Sequence, residues 1–248
     1  MDILLILVAA FGAGVLNTIA GGGTFLTFPA LVFIGVPPVV ANATSAVAVF
    51  PGYLGGALGF RDELRRFDRR ILLRLVLVTV AGGLIGSLLL LVSSNAAFSV
   101  VVPFLLLAAT LVFLFGDRIR DWAAARSRAV TPFGTAGLLL VSIYGGYFNG
   151  GLGIVLLALF ALWGMTQIHE MNGLKTGLSF ALSAISVAIF AIGGLIEWGP
   201  AAGMMVASSL GGYAGAPLAR VLPKAAVRGV IALVGFGMSA VFFWRLIA

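Results

Sequence analysis

Residues 71–92 and 98–115 form two long apolar runs separated by five small residues, "SSNAA" at 93–97. Each run can cross the hydrocarbon core of a bilayer, which takes roughly 20 apolar residues. Backbone in lipid has no water to bond, so such segments close their hydrogen bonds internally as helices. Composition extends this to the whole chain: 61% of its residues are hydrophobic and only 9% are charged, against about 25% charged in soluble domains. The chain is expected to be an integral membrane protein with many spans. The opening "MDILLILVAAFGAG" lacks a basic leader region and is read as the first span. There is no cysteine, which excludes disulfides, iron–sulfur clusters and thiolate chemistry. The net charge of +7 raises the question of nucleic acid. The basic residues cluster in short loops between spans, where membrane orientation explains them.

The chain repeats itself. "NAAFSVVVPFLLLAATLVFLF" from Asn95 matches "KAAVRGVIALVGFGMSAVFFW" from Lys224, an offset of 129 residues, and "GGLIGSLLLLV" from Gly82 matches "GGYAGAPLARV" from Gly211 at the same offset. "AGGG" at Ala20 matches "GGLG" at Gly150, and "ANATS" at Ala41 matches "MNGLK" at Met171, both offset by 130. The expected organisation is a first membrane repeat at 1–116, a cytoplasmic linker at 117–131 and a second repeat at 132–248, forming one membrane domain.

Loop charges give the repeats a direction. "RDELRRFDRR" at 61–70 is arginine-rich, whereas its counterpart "IEWGP" at 196–200 has no basic residue. The uncharged "SSNAA" at 93–97 corresponds to a loop carrying Arg220, Lys224 and Arg228. The positive-inside rule puts matching loops on opposite sides. Inverted repeats of this kind are a plan of secondary transporters, and the fold class expected is an all-α integral membrane protein with two inverted-topology repeats and about 8–10 transmembrane or broken helices. Ten is favoured, with both termini outside. The stretch 132–163 would be about 48 Å long as one helix, too long for one span, and it is interrupted at "NGGLG".

That interruption pairs with "IAGGGT" in the first half. A broken helix leaves backbone N–H groups unpaired, so the break must lie inside protein or line a cavity. Those N–H groups and the positive end of the helix dipole form an anion site. Gly21, Gly22 and Gly23 break the first half, flanked by Asn17 and Thr24. Gly150, Gly151 and Gly153 break the second, flanked by Asn149. The competing explanation, close packing of small residues, fits "GGLIG" at 82–86 and "GGYAG" at 211–215 better. The following helices carry Asn42, Thr44 and Ser45, then Asn172, Lys175 and Thr176. Helix capping would account for Asn42 and Asn172. Lys175 either snorkels to the interface or supplies a fixed cation to an anion site. His169 and Glu170 read as surface loop residues, and Asp62, Glu63 and Asp68 as loop ion pairs. A single histidine and no deep carboxylate leave no metal site, no cofactor site and little catalytic equipment.

The block "AGGGTFLTFPAL…G…ANATS", with its echo "NGGLGIVLLALFALWG…MNGLKTG", resembles the sulfite exporter TauE/SafE family over nearly the whole chain. The second motif lacks the proline-containing continuation of the first, and Leu174-Lys175 stand where the first half has Thr44-Ser45. The resemblance implies export of sulfite or an organosulfonate across the bacterial inner membrane. By motif position it points to Gly21, Gly22, Gly23, Asn42, Thr44 and Ser45, and more weakly to Gly150, Gly151, Gly153, Asn172 and Lys175. The expected partners are a small anionic substrate and the lipid bilayer, with no nucleic acid and room for a homo-oligomer. An anion channel, or a carrier of another small organic anion, is the alternative. A Gly23→Leu change is expected to block the site while leaving the protein in the membrane.

Overall fold

The computed structural model describes residues 2–19, 22–126, 131–221 and 224–247. Gly21, and the side chains of Arg220, Lys224 and Arg228, lie outside the described set. Every regular element among the described residues is a helix. The helices are α1 (Asp2–Ile19), α2 (Thr24–Phe33), α3 (Pro38–Gly59), α4 (Arg61–Arg65), α5 (Arg69–Val92), α6 (Asn95–Leu114), α7 (Gly116–Ala125), α8 (Thr135–Tyr147), α9 (Leu152–Leu162), α10 (Ile168–Ile192), α11 (Trp198–Val221) and α12 (Lys224–Ile247). Among the described residues, four stretches are long and apolar enough to span a bilayer: Arg69–Val92, Asn95–Leu114, Ile168–Ile192 and Gly229–Leu246. The chain is an all-α, multi-pass membrane protein.

Local chemistry sets the boundaries. Pro38 opens α3, where its missing N–H costs nothing. Asp68 caps α5 by accepting from the N–H groups of Arg70 and Ile71, so it is a cap and not the loop ion pair expected. Asp62 does pair with Arg61 and Arg65, at 3.8 and 3.6 Å. Helices α2 and α9 are only 10 and 11 residues long, half of a crossing. They end alike. Gly35 and Gly164 both have φ above +80°, and the next residue's N–H returns to a carbonyl five positions back, Val36 to Leu31 and Met165 to Phe160. This is a Schellman stop, and it needs the left-handed residue that glycine supplies.

Two segments expected as loops are partly helical. His169 and Glu170 lie in the first turn of α10. Residues 116–125 form α7, where Arg120 reaches Asp117 at 3.7 Å and Arg126 sits 4.2 Å over the Trp122 ring. Pairs three and four residues apart support a short surface helix, and buried Ala123 joins the cluster that holds α9.

Exchanging the two halves preserves the packing pattern. α1 packs on α11 as α8 packs on α5, α3 on α11 as α10 on α5, and α12 on α2 as α6 on α9. The equivalent helices α3 and α10 touch each other, as do α6 and α12. Phe50 stacks on Phe180 and Gly56 meets Thr176, so α3 and α10 run antiparallel. Gly235 meets Thr110, and Ser239 Oγ donates to the Pro103 carbonyl at 2.9 Å, so α6 and α12 do too. The α1–α11 and α5–α8 seams are closed by glycines. A Cβ at Gly211 would overlap the Phe11 carbonyl oxygen, and one at Gly86 would overlap that of Ile143. Gly82, Gly86 and Gly211 are thus where helices approach, as small residues allow.

Candidate functional site at two broken helices

Both glycine breaks lie against one turn of α6. A side-chain carbon at Gly22 would stand 3.4 Å from the Phe113 ring and 3.4 Å from Ile231. One at Gly151 would stand 3.5 Å from the Ala109 carbonyl oxygen. Ala109 and Phe113 are four residues apart, so they share a face. A second link comes from α2, where the buried ring of Phe28 meets Phe148, next to the second break, at 5.9 Å. Elements more than 120 residues apart in sequence therefore meet at one place.

The breaks are built differently. At the first, Gly23 donates its N–H to Asn17 Oδ1 at 2.8 Å. That bond fixes the amide of Asn17 and leaves its Nδ2 beside Gly23. Thr24, buried, opens α2. The break thus presents hydrogen-bond donors at the positive end of a helix. A Cβ at Gly23 would sit 2.8 Å from the Ala13 carbonyl oxygen. Gly23→Leu would therefore disturb the α1–α2 contact as well as the site, and is a poorer probe than the sequence suggests.

At the second break, Asn149 and Gly151 are both left-handed, with φ of 62° and 68°. Gly151 caps α9, and its carbonyl accepts from Ile154 at 3.0 Å. Tyr144 donates its hydroxyl to the Gly150 carbonyl, and the Tyr53 hydroxyl on α3 sits beside the Asn149 side chain. Asn42 is buried and donates Nδ2 to the Tyr147 carbonyl at 2.8 Å. It tethers α3 to the end of α8.

The polar residues of α3 and α10 take several roles. Asn42 and Asn172 lie four positions inside their helices, so neither is the N-cap that its residue type suggested. Thr44 accepts from the Glu197 N–H at 3.1 Å, at the entry to α11. Ser45 shares a 2.5 Å hydrogen bond with Thr27, joining α3 to α2. Lys175 donates to Asn172 Oδ1 at 2.9 Å, toward the start of α10. Thr176 bonds back to the Asn172 and Gly173 carbonyls and packs on Gly56. Gly153, in the first turn of α9, is buried. Sequence reading missed Thr27, Tyr53, Tyr144 and Tyr147. The "YGGYFN" run, with hydroxyl-bearing rings beside the break, was the available signal.

Residues 6–242 match the profile described as "Sulfite exporter TauE/SafE". The chain belongs to that family. Among similar TauE/SafE relatives, a "Probable membrane transporter protein" of Haemophilus influenzae is 31% identical over 97% of this chain and 94% of its own length. "Probable membrane transporter protein YfcA" of Escherichia coli K12 is 26% identical over 92% and 84%. No solved structure matches the chain. The family and the names of its relatives make this a membrane transporter of the TauE/SafE type.

Proposed function

We propose that the chain is a secondary transporter that exports a small sulfur-containing anion, sulfite or an organosulfonate, across the bacterial inner membrane by alternating access. The observation that carries the reading is the convergence of the two half-helix starts, at Gly22–Thr24 and Gly151–Gly153, on one turn of α6. Two helix N-termini beside one turn of a third helix offer backbone N–H groups and positive partial charge to an oxyanion. Asn17 and Thr24 add side-chain donors. The remainder of the proposed binding set, Asn42, Thr44, Ser45, Asn149, Gly150, Asn172, Lys175 and Thr176, holds the surrounding helices. An interior-negative potential contributes about 2.3 kcal/mol per charge per 100 mV, an outward bias of about fiftyfold for an anion that moves alone. With few titratable side chains near the breaks, catalysis has little to work with, and transport without chemistry is the reading preferred.

Alternating access follows from inverted repeats that rock against each other. The antiparallel run of α3 on α10 and of α6 on α12 supports that plan, because a two-fold axis lying in the membrane reverses each equivalent helix. The cysteine-free chain makes topology direct to test. Single cysteines at Ser94 and Gly199 should react with an impermeant maleimide from the outside, and one at Phe67 only after permeabilisation. Labelling of all three from one side would remove the inverted arrangement.

Transport itself is tested in proteoliposomes loaded with radiolabelled sulfite at a clamped potential. A carrier shows saturable efflux that accelerates when unlabelled substrate is supplied outside. Sulfite efflux equal to that of empty liposomes, with sulfoacetate and taurine equally inert, would overturn the substrate class. Linear efflux without counterflow would indicate a channel at the same helix ends.

A further inference from the structure

We propose that the second break also holds a monovalent inorganic cation, bound by amide and backbone oxygens. The proposal rests on the transporter reading and adds a second ligand to the same site. Its observation is a pair of buried oxygens with nothing to accept. Asn42 is 3% exposed and Asn149 6%, and the Oδ1 of each has no hydrogen-bond partner among the described residues. The orientation of Asn42 is not arbitrary. Its Nδ2 faces the Tyr147 carbonyl, so flipping the amide would set oxygen against oxygen. The carbonyl that Asn42 binds belongs to Tyr147, two residues before Asn149 in the same helix end.

Buried acceptors left empty are costly. Thr79, Ser142 and Ser183 also have unpartnered hydroxyls, but a hydroxyl carries its own proton and can turn to a carbonyl one turn back in its helix. An amide oxygen cannot. Both orphan oxygens lie at the C-terminal end of α8, where the helix dipole is negative. Discontinuous helices in transporters use such ends and unwound carbonyls to hold coupling cations. The nearest described ammonium group on α10, Lys175, is turned to Asn172 Oδ1 and does not fill the place. Among the described residues no cluster of His, Asp or Glu could hold a metal. A set of neutral oxygens suits Na+ or K+ and does not repay the dehydration of a divalent ion. A cation here would sit beside the anion proposed between α2 and α9, offset its charge and link the movements of the two.

The test is binding, without any anion substrate. The purified protein in detergent is melted in NaCl, KCl or N-methylglucamine chloride at constant chloride. Sodium or potassium should raise the melting temperature with the logarithm of concentration above the dissociation constant, by about 3 °C at ten times that constant. N-methylglucamine should not. Asn149→Gly keeps the left-handed backbone and deletes the oxygen, so the shift should vanish. Asn149→Asp keeps that backbone preference and adds charge, so the dissociation constant fitted to the shift should fall at least tenfold. Equal melting in all three salts, or an ion-specific shift unchanged in both variants, would overturn the proposal. Either result is independent of sulfite flux, which tests the transporter reading alone.

Discussion

Gly211→Val should remove most of the folded protein from the membrane fraction. A Cβ at residue 211 would overlap the Phe11 carbonyl oxygen, with the Phe11 Cα 3.0 Å away. Backbone cannot swing aside as a side chain can, so α1 and α11 must separate. The opposing face repeats the problem, because a Cβ at Gly14 would overlap the Ser208 carbonyl and stand 2.6 Å from the Gly212 nitrogen. Overpacking that side chains can absorb costs about 1–3 kcal/mol. An obstruction against backbone on both helices should exceed that range. The control is Gly55→Val on α3, where an added Cβ meets nothing within 4 Å and replacing glycine in a helix is favourable. Size-exclusion profiles and melting curves of the two detergent-solubilised variants decide. A Gly211→Val protein as monodisperse and as stable as the Gly55→Val control would show that the α1–α11 seam can open freely.

That seam illustrates what could be read from residues alone. "GGLIG" and "GGYAG" stood out at a constant offset, and small residues at that spacing imply close helix approach. The partner helices could not be read, because lipid-facing and protein-facing apolar residues look alike. Leu75 and Leu77, two positions apart on α5, are 0% and 59% exposed. The half-helices were legible because glycine breaks are rare punctuation inside apolar sequence. Their neighbours were not. The turn at Ala109 and Phe113 carries one polar residue, Thr110, whose hydroxyl bonds back to the Leu106 carbonyl of its own helix, yet both breaks lie against it. Asn42 and Asn172 show the same limit from the other side. Their residue type suggested caps, but the helices begin four positions earlier at Pro38 and Ile168. In lipid, the chain starts a helix at the interface whether or not a capping residue is present. The matching ends of α2 and α9 at Gly35 and Gly164 went unremarked in sequence because a lone glycine in an apolar run has many uses.

Asn17→Asp should abolish anion flux while leaving the fold intact. Asn17 Oδ1 accepts the Gly23 N–H at 2.8 Å, and a carboxylate can accept the same bond. A negative group at the start of α2 also interacts favourably with the helix dipole, by about 0.3–1 kcal/mol. The variant should therefore melt no lower than the wild type by more than a small margin. The substrate meets the opposite situation. A fixed negative charge about 5 Å from a bound anion opposes it by about 3 kcal/mol at an effective dielectric constant of 20, a loss of about two hundredfold in occupancy. The charge is what matters, since Asn17→Asp removes one amide donor and changes little else in shape. Asn17→Ala separates the two effects: it loses the cap and the donor without adding charge, so its flux should fall less and its stability more. Proteoliposome efflux and melting temperature, measured on both variants, form the pair of readouts. Wild-type efflux from well-folded Asn17→Asp protein would place the anion away from the first break. Efflux lost in Asn17→Asp and partly kept in Asn17→Ala would mark the start of α2 as the place where the anion's charge is felt.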